Sequence, residues 1–371
     1  MKKEKNIIKI PVVAISTFGH CGIDWLHSLI DSHKQVLILP PLSFFRKIEI
    51  LKKKKIYLNE TLDKKKILNI VKNINLLDDA QSSALKRNYI LKKKQNKLKF
   101  IKYLSNFLIK QKDLNIEKML FFAIHYAYAK INKINLNKIK IIVAHEHAPW
   151  NCYQYSKYFN SKFVLMVRDP RATIAGSLRG FKRYKNIPIN FPFDINLSFA
   201  ISAHNFCKKM PKKKILILRN EDMVKNLESE MKKLSRWLNI KFDKSLLSST
   251  FGGKKWLGES SYLGKNDLKK SRPKNYYKPI NIEARWRNFL DKKTIFIIET
   301  VYEEIMLQNK YKLDNKLPLI SKFLGYFVAL FKFQEFNNYL SLIKYSFIKS
   351  VIRRFFILFF SEKSRKIFDI V

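Results

Sequence analysis

Residues 10–33, Ile10-Pro-Val-Val-Ala-Ile-Ser-Thr-Phe-Gly-His-Cys-Gly-Ile-Asp-Trp-Leu-His-Ser-Leu-Ile-Asp-Ser-His33, change character twice within a short span. Val12, Val13, Ala14 and Ile15 form an unbroken apolar run, suited to a strand covered on both faces. Ser16 to Gly22 are turn formers, and Gly19 and Gly22 accept backbone angles that larger residues resist. From Ile23 the apolar residues recur at three and four, which puts Ile23, Leu26, Leu29 and Ile30 on one helix face. A strand, a glycine turn and a helix start together suit an anion. The first-turn N–H groups have no intrahelical partner, and the helix dipole adds partial positive charge. A plain βα connection has the same appearance, and the Walker spacing G-x-x-x-x-G-K-[ST] is absent. The turn alone leaves both readings open.

The rest of the chain continues the alternation. Gln35-Val-Leu-Ile-Leu-Pro40 predicts a second strand, closed by Pro40 and Pro41. Lys140-Ile-Ile-Val-Ala144, Lys162-Phe-Val-Leu-Met-Val167 and Lys214-Ile-Leu-Ile-Leu218 predict three more. Helices are expected from Pro170, where proline suits a first turn, and from Asp222 to Leu238. This order predicts an α/β fold, a central parallel β-sheet flanked by helices. Between the second and third strands, Phe44 to about Asn137 reads as a long helical insertion, rich in Lys and without Gly or Pro. Within it, Lys118 to Ala129 is apolar on nearly every face, so His125 reads as a packed core histidine. Thr250 to Glu259 is a glycine-rich basic loop, and helices are expected over 281–290 and 292–309. Pro318 marks a boundary. Residues 1–316 read as one domain, and 317–371 as a basic, aromatic-rich helical appendage. That appendage suits either a packed helical unit, on the body or a partner, or an interfacial membrane anchor. Its recurring charges favour packing.

Composition narrows the partners. A 371-residue chain with 47% hydrophobic and 14% aromatic residues has the makings of a folded core. The net charge of +45 would attract nucleic acid, anionic lipid or acidic substrates. The lysines are spread among Ile and Asn along the whole chain, as A/T-rich codon usage also produces, and no RNA-binding signature appears, so nucleic acid is not expected. Cys21, Cys152 and Cys207 are far apart and form neither a disulfide framework nor a C-x-x-C pair. No signal peptide is visible, and no uncharged apolar run reaches the roughly 18 to 20 residues of a membrane span. The expectation is a cytoplasmic protein, with peripheral contact at the inner face of a membrane left open.

Parallel sheets bind ligands beyond the carboxyl ends of their strands. Four polar clusters fall there: Ser16 to Asp24, His145 to His147, Arg168 to Arg171, and Asn220 to Asp222. Arg168 emerges from an apolar strand and is suited to hold a phosphate bidentately, though an Arg168–Asp169 surface pair is the alternative. His145 and His147 lie two apart, so on an extended chain they face the same way. That suits a general base or two ligands of an H-x-H metal site. No third ligand suggests itself by spacing, and no metal is expected.

Taken together, these residues resemble the sulfotransferases that use 3′-phosphoadenosine 5′-phosphosulfate (PAPS). The family's first pattern, like T-Y-P-K-S-G-T-T-W-L, has Thr17-Phe-Gly-His-Cys-Gly-Ile-Asp-Trp-Leu26 in the same frame, and Gly19-His-Cys-Gly22 is similar to the shorter bacterial G-R-x-G form. The second pattern, a strand followed by R-D-P-R-x-x-x-A-S, is very similar to Arg168-Asp-Pro-Arg-Ala-Thr-Ile-Ala-Gly-Ser177. Glu146-His-Ala-Pro149 matches the end of K-T-H-x-P, Asn220-Glu-Asp-Met223 compares with Y-E-D-L, and Gly252-Gly-Lys-Lys255 with a late glycine-basic loop. The chain also departs from these patterns. His20 stands where the family has Lys or Arg, and Ile23-Asp24 where a Ser/Thr pair is common. Gly176 occupies the usual serine position, with Ser177 one later. Asp24 would repel a phosphate unless it points away.

The resemblance implies a P-loop-like α/β sulfotransferase fold and transfer of a sulfuryl group from PAPS to a hydroxyl or amine. The acceptor would be a carbohydrate or glycolipid, the product adenosine 3′,5′-bisphosphate, with no metal. It implies that Gly19, His20, Cys21, Gly22, Ile23, Asp24 and Trp25 hold the 5′-phosphosulfate. Arg168, Gly176 and Ser177, helped by Gly253 and Lys254, would hold the 3′-phosphate. His147 is the expected base, with His20 at the transferred group and Glu146 or His145 in reserve. The alternatives are a nucleotide-dependent kinase on the same loop and a basic, non-catalytic module for anions or membranes.

Overall fold

The computed structural model describes residues 5–53, 94–110, 115–181, 191–256, 286–331 and 345–359. Five parallel strands make one sheet: β1 (Val12–Thr17), β2 (Val36–Ile38), β3 (Ile141–His145), β4 (Lys162–Val167) and β5 (Ile215–Arg219), in the order β2-β3-β1-β4-β5. Every residue of β1 and β3 is buried, as are the last five of β4. Such strands need cover on both faces and take the middle of the sheet. β5 is buried only at alternate residues and takes an edge. The register pairs Ile15 with His145, Thr17 with Met166 and Val167 with Arg219. The carboxyl ends therefore finish near one level, and the polar clusters expected there meet along one rim.

The helices are α1 (Ile23–Ile30), α2 (Phe44–Lys53), α3 (Lys94–Lys110), α4 (Ile116–Ile131), α5 (Cys152–Phe159), α6 (Pro170–Phe181), α7 (Phe191–Lys209), α8 (Asn220–Lys225), α9 (Leu227–Leu238), α10 (Lys292–Gln308), α11 (Leu319–Phe331) and α12 (Tyr345–Phe359). α2, α3 and α4 are the described part of the expected insertion; residues 54–93 and 111–114 lie outside the described residues. The insertion joins the main core through aromatic contacts, Phe45 with Tyr155 at 4.7 Å and Phe121 with Phe159 at 4.6 Å. His125 is buried, with Nδ1 2.8 Å from the Phe121 carbonyl, as a core histidine would be.

Three local expectations need correction. The helix read over 222–238 is two helices, because Asn226 leaves helical geometry (φ −139°, ψ 58°) and its amide closes α8 on the Asp222 carbonyl at 2.8 Å. Residues 286–290 are a turn rather than the end of a helix, and 281–285 lie outside the described residues. That turn is anchored by the buried Trp286 ring, which the guanidinium groups of Arg171 and Arg287 approach at 4.2 and 4.4 Å. The basic loop begins as a hairpin of β6 (Thr250–Phe251) and β7 (Lys254–Lys255), while 257–259 lie outside the described residues. Gly252 and Gly253 have φ of 56° and 73°, the left-handed pair a two-residue turn of this hand requires.

α11 and α12 pack on the body. α11 meets α10 where Gly325 faces Thr300, and a Cβ there would come within 2.5 Å of the Thr300 hydroxyl. α12 sends Arg354 inward, where Nε donates to Asp194 of α7 and Nη1 donates to the Ala329 carbonyl at 3.0 Å. Both members of the Arg354–Asp194 pair are fully buried. Replacing one partner strands the other charge in the interior. Asp194→Ala should therefore lower unfolding stability by about 3–5 kcal/mol, read by denaturant titration.

Candidate active site

The loop between β1 and α1 is shaped by contacts from distant parts of the chain. Phe18 N donates to the Met166 carbonyl of β4 at 2.9 Å, so the chain leaves β1 still attached to the sheet. Thr17 Oγ1 donates to the Gly19 carbonyl and accepts from Gly19 N at 3.2 Å. Gly19 (φ 137°) and Gly22 (φ 93°) both take angles that favour glycine. They are also pinched. A Cβ on Gly19 would lie 2.5 Å from Asn196 Oδ1, and one on Gly22 2.6 Å from Asn220 Nδ2. Those asparagines hold the loop. Asn196 Oδ1 accepts from His20 N at 2.9 Å, and Asn220 Nδ2 donates to the Cys21 carbonyl at 3.0 Å. Gly22 caps α1 in the left-handed region, leaving the amides of residues 22 to 24 ahead of the first i→i−4 bond.

Asn196 reaches the second corner as well. Its Nδ2 donates to Ser177 Oγ of α6 at 2.9 Å and to the Pro192 carbonyl at 2.6 Å. The two corners touch directly, since Thr173 of α6 lies 3.3 Å from the Cβ position of Gly19 and 3.8 Å from Cys21 Sγ. Arg168 lies along the same helix, with Nη1 3.7 Å from the Cβ position of Gly176. Its Nε is buried and has no hydrogen-bond partner among the described residues. A cation held so is suited to an anion.

The other charged residues of this segment are braces. Arg171 Nε and Nη2 donate to Asp169, Nη1 to Glu299, and Nη2 also to the Lys312 carbonyl at 3.0 Å. Glu221 accepts from Asp169 N at 3.0 Å and from the Tyr311 hydroxyl at 2.8 Å. Arg168-Asp-Pro-Arg171 thus divides its work: the first arginine faces the rim, and the second locks the helix start that presents it.

A third group lies beside the loop. Asp24, on the first turn of α1, has Oδ1 3.6 Å from Nε2 of both His145 and His147. One turn on, His27 Nδ1 is 3.0 Å from His145 Nδ1, and its ring stacks on Phe251 at 5.0 Å. Burial pushes the His27 pKa down to about 3 and holds His145 well below the usual histidine range. Two neutral rings at this distance share one proton: one nitrogen donates and the other accepts. His145 is closed in, whereas the His147 side chain is 33% exposed and open to a reactant. Asp24, His145 and His147 also bring three ligand-type atoms within 4.8 Å, a set that could hold a divalent cation. Spacing along the chain could not reveal the third member, because it comes from another element.

The remaining candidates are placed as follows. Glu146 is fully buried and accepts from Ala148 N at 3.0 Å, and burial raises its pKa to about 8. It is therefore out of direct reach of a solvent-borne reactant. His20 is exposed, with Nδ1 3.1 Å from Asn196 Oδ1, and an imidazole there does not supply the standing charge of the Lys or Arg it replaces. Cys21 and Ile23 are buried, and burial raises the Cys21 thiol to about 11. Trp25 is half-buried against the core. Ser177 is buried and engaged with Asn196. Gly253 and Lys254 are exposed on the hairpin, which is fastened to α1 through Gly253 N to Asp31 Oδ2 at 3.0 Å. Asn196 was missed from sequence. A signal existed: Phe193, Asn196, Leu197 and Ala200 follow helical spacing, so a polar amide stands on the buried stripe of α7.

A family model described as the sulfotransferase family matches residues 19–244, well over half of the chain. Among solved structures, the sulfotransferase domain from the curacin biosynthetic pathway is 14% identical. It covers 82% of this chain and 99% of its own, with a TM-score of 0.44. The sulfotransferase domain from the Synechococcus PCC 7002 olefin synthase is 13% identical, covers 89% and 97%, and has a TM-score of 0.39. No curated protein matches the chain.

Asn196→Ala should release the His20 amide and Ser177 together, lowering stability by about 1–3 kcal/mol. Asn196→Asp, which keeps the acceptor and loses the donor, should fall between this variant and the parent in thermal unfolding.

Proposed function

We propose that this chain, which belongs to the sulfotransferase family, moves a sulfuryl group from PAPS to a hydroxyl or amine on a carbohydrate or glycolipid. The observation that carries the reading is the single side chain, Asn196, bonded to both the glycine loop and the Arg168–Ser177 corner. Two anion-suited corners fixed to each other match a donor with phosphate at both ends of its ribose.

The loop amides of residues 22 to 24, with His20, take the 5′-phosphosulfate. Arg168 takes most of the charge of the 3′-phosphate, with Ser177 at its side. His147 is the base. Asp24 holds that ring from one side rather than facing the phosphate, which answers the repulsion its position in the loop would otherwise bring. As His147 removes the acceptor proton, the acceptor oxygen or nitrogen bonds to sulfur. The bond from sulfur to the bridging oxygen breaks, and its electron pair stays on the departing 5′-phosphate. Charge on that phosphate is stabilised where dipoles and donors are already oriented, so little reorganisation is needed. Contact of the C-terminal region with a membrane would bring such an enzyme to a glycolipid acceptor.

His147→Ala should lower kcat by about 10²–10⁴-fold while leaving adenosine 3′,5′-bisphosphate binding nearly unchanged. Arg168→Ala should weaken binding of the same bisphosphate by about 10- to 100-fold. Transfer of label from radioactive PAPS across a panel of acceptors reads the first, and calorimetric titration the second. Loss of bisphosphate binding in His147→Ala would move that residue into the donor site.

A further inference from the structure

α11 has two faces, and the body covers one. Gly325 and Ala329 are buried toward the body, and Lys322 on that side pairs with Glu303 at 2.8 Å. Leu319, Ile320, Phe323, Leu324 and Phe327 recur at i, i+1, i+4, i+5 and i+8 and are between 56% and 85% exposed. α12 extends the apolar surface through Phe355 and Phe359, and the Phe359 ring lies 6.0 Å from Tyr326 of α11. Nine of the twelve large apolar side chains exposed among the described residues are on these two helices, so the patch belongs to this face and not to the surface in general. A soluble surface rarely leaves so continuous a stripe open to water.

We propose that this face docks on an anionic lipid bilayer, with α11 lying in the plane of the interface. Among the described residues no helix is long and apolar enough to cross a membrane. α11, 13 residues long, spans only about 20 Å at the α-helical rise. A helix with a continuous apolar stripe, and its lysine turned to the other side, suits the boundary between headgroups and acyl chains. Charge selects the kind of bilayer. The chain carries +45, exposed Lys312 and Lys316 precede α11, and, besides Lys322 and Arg354, which are paired with Glu303 and Asp194, the sequence of 317–371 holds seven Lys or Arg against three Asp or Glu. Anionic headgroups complement that charge, whereas a second copy of the chain would bring the same positive charge to the contact. The inference stands independently of the transfer reaction; joined to it, it narrows the acceptor to one presented at a lipid surface.

The test is co-sedimentation of the full chain with vesicles of phosphatidylcholine, alone or mixed with phosphatidylglycerol. The mixed vesicles should bind at least about tenfold more tightly, and added salt should weaken them. A triple variant, Ile320→Ser, Phe323→Ser and Phe327→Ser, alters only exposed positions and should keep the parent's melting temperature. It should lose at least about tenfold in affinity for the mixed vesicles. The proposal is overturned if the parent stays in the supernatant with the mixed vesicles at low salt, or if the triple variant binds them as the parent does. It is also overturned if the parent forms a concentration-dependent dimer that the triple variant abolishes while neither binds vesicles.

Discussion

The site depends on one buried amide. Asn196 accepts from the His20 backbone and donates to Ser177, residues 176 and 19 positions away in the chain. The glycine loop and α6 also meet through Thr173, which lies against Gly19 and Cys21. Asn220 grips the loop from the other side, across 199 positions. Between two such clamps there is no room for a side chain at Gly19 or Gly22, so the glycines provide space as well as backbone freedom. A neutral amide suits this place because it donates and accepts at once and brings no charge that a bound anion would oppose.

Charge is then sorted by position. Arg168 lies over Gly176 with a buried Nε awaiting an acceptor, while Arg171, three residues on, is consumed by Asp169, Glu299 and Asp314. Asp24 would oppose an anion at the loop, but its carboxylate is turned to His145 and His147. Burial keeps His27 and His145 neutral, so these two rings add no charge to the positive potential that Arg168 and the oriented backbone N–H groups supply at the rim.

The sheet was legible because its central strands are buried, largely apolar runs, and a parallel arrangement follows from the helices between them. β4 was bounded to the residue. The corners were legible where chemistry is carried by neighbours in sequence, as in Arg168-Asp-Pro-Arg171 and Gly19-His-Cys-Gly22. What could not be read was whatever one element contributes to another. The third member beside His145 and His147 comes from α1, and the partner of Ser177 comes from α7. The break at Asn226 was hidden because the apolar spacing of Met223, Leu227 and Met231 runs through it without interruption. His20 sits where a family cation is usual, and only the fold reveals that Asn196 holds both its backbone amide and its ring.

The most direct measurement is calorimetric titration of the full chain with adenosine 3′,5′-bisphosphate and with adenosine 5′-monophosphate. If the two corners grip opposite ends of one nucleotide, the bisphosphate should bind at least about tenfold more tightly, the contribution of one charge-assisted contact. Equal affinity for the two would mean that Arg168 and its corner take no part in holding the donor, and the account of the site would fail.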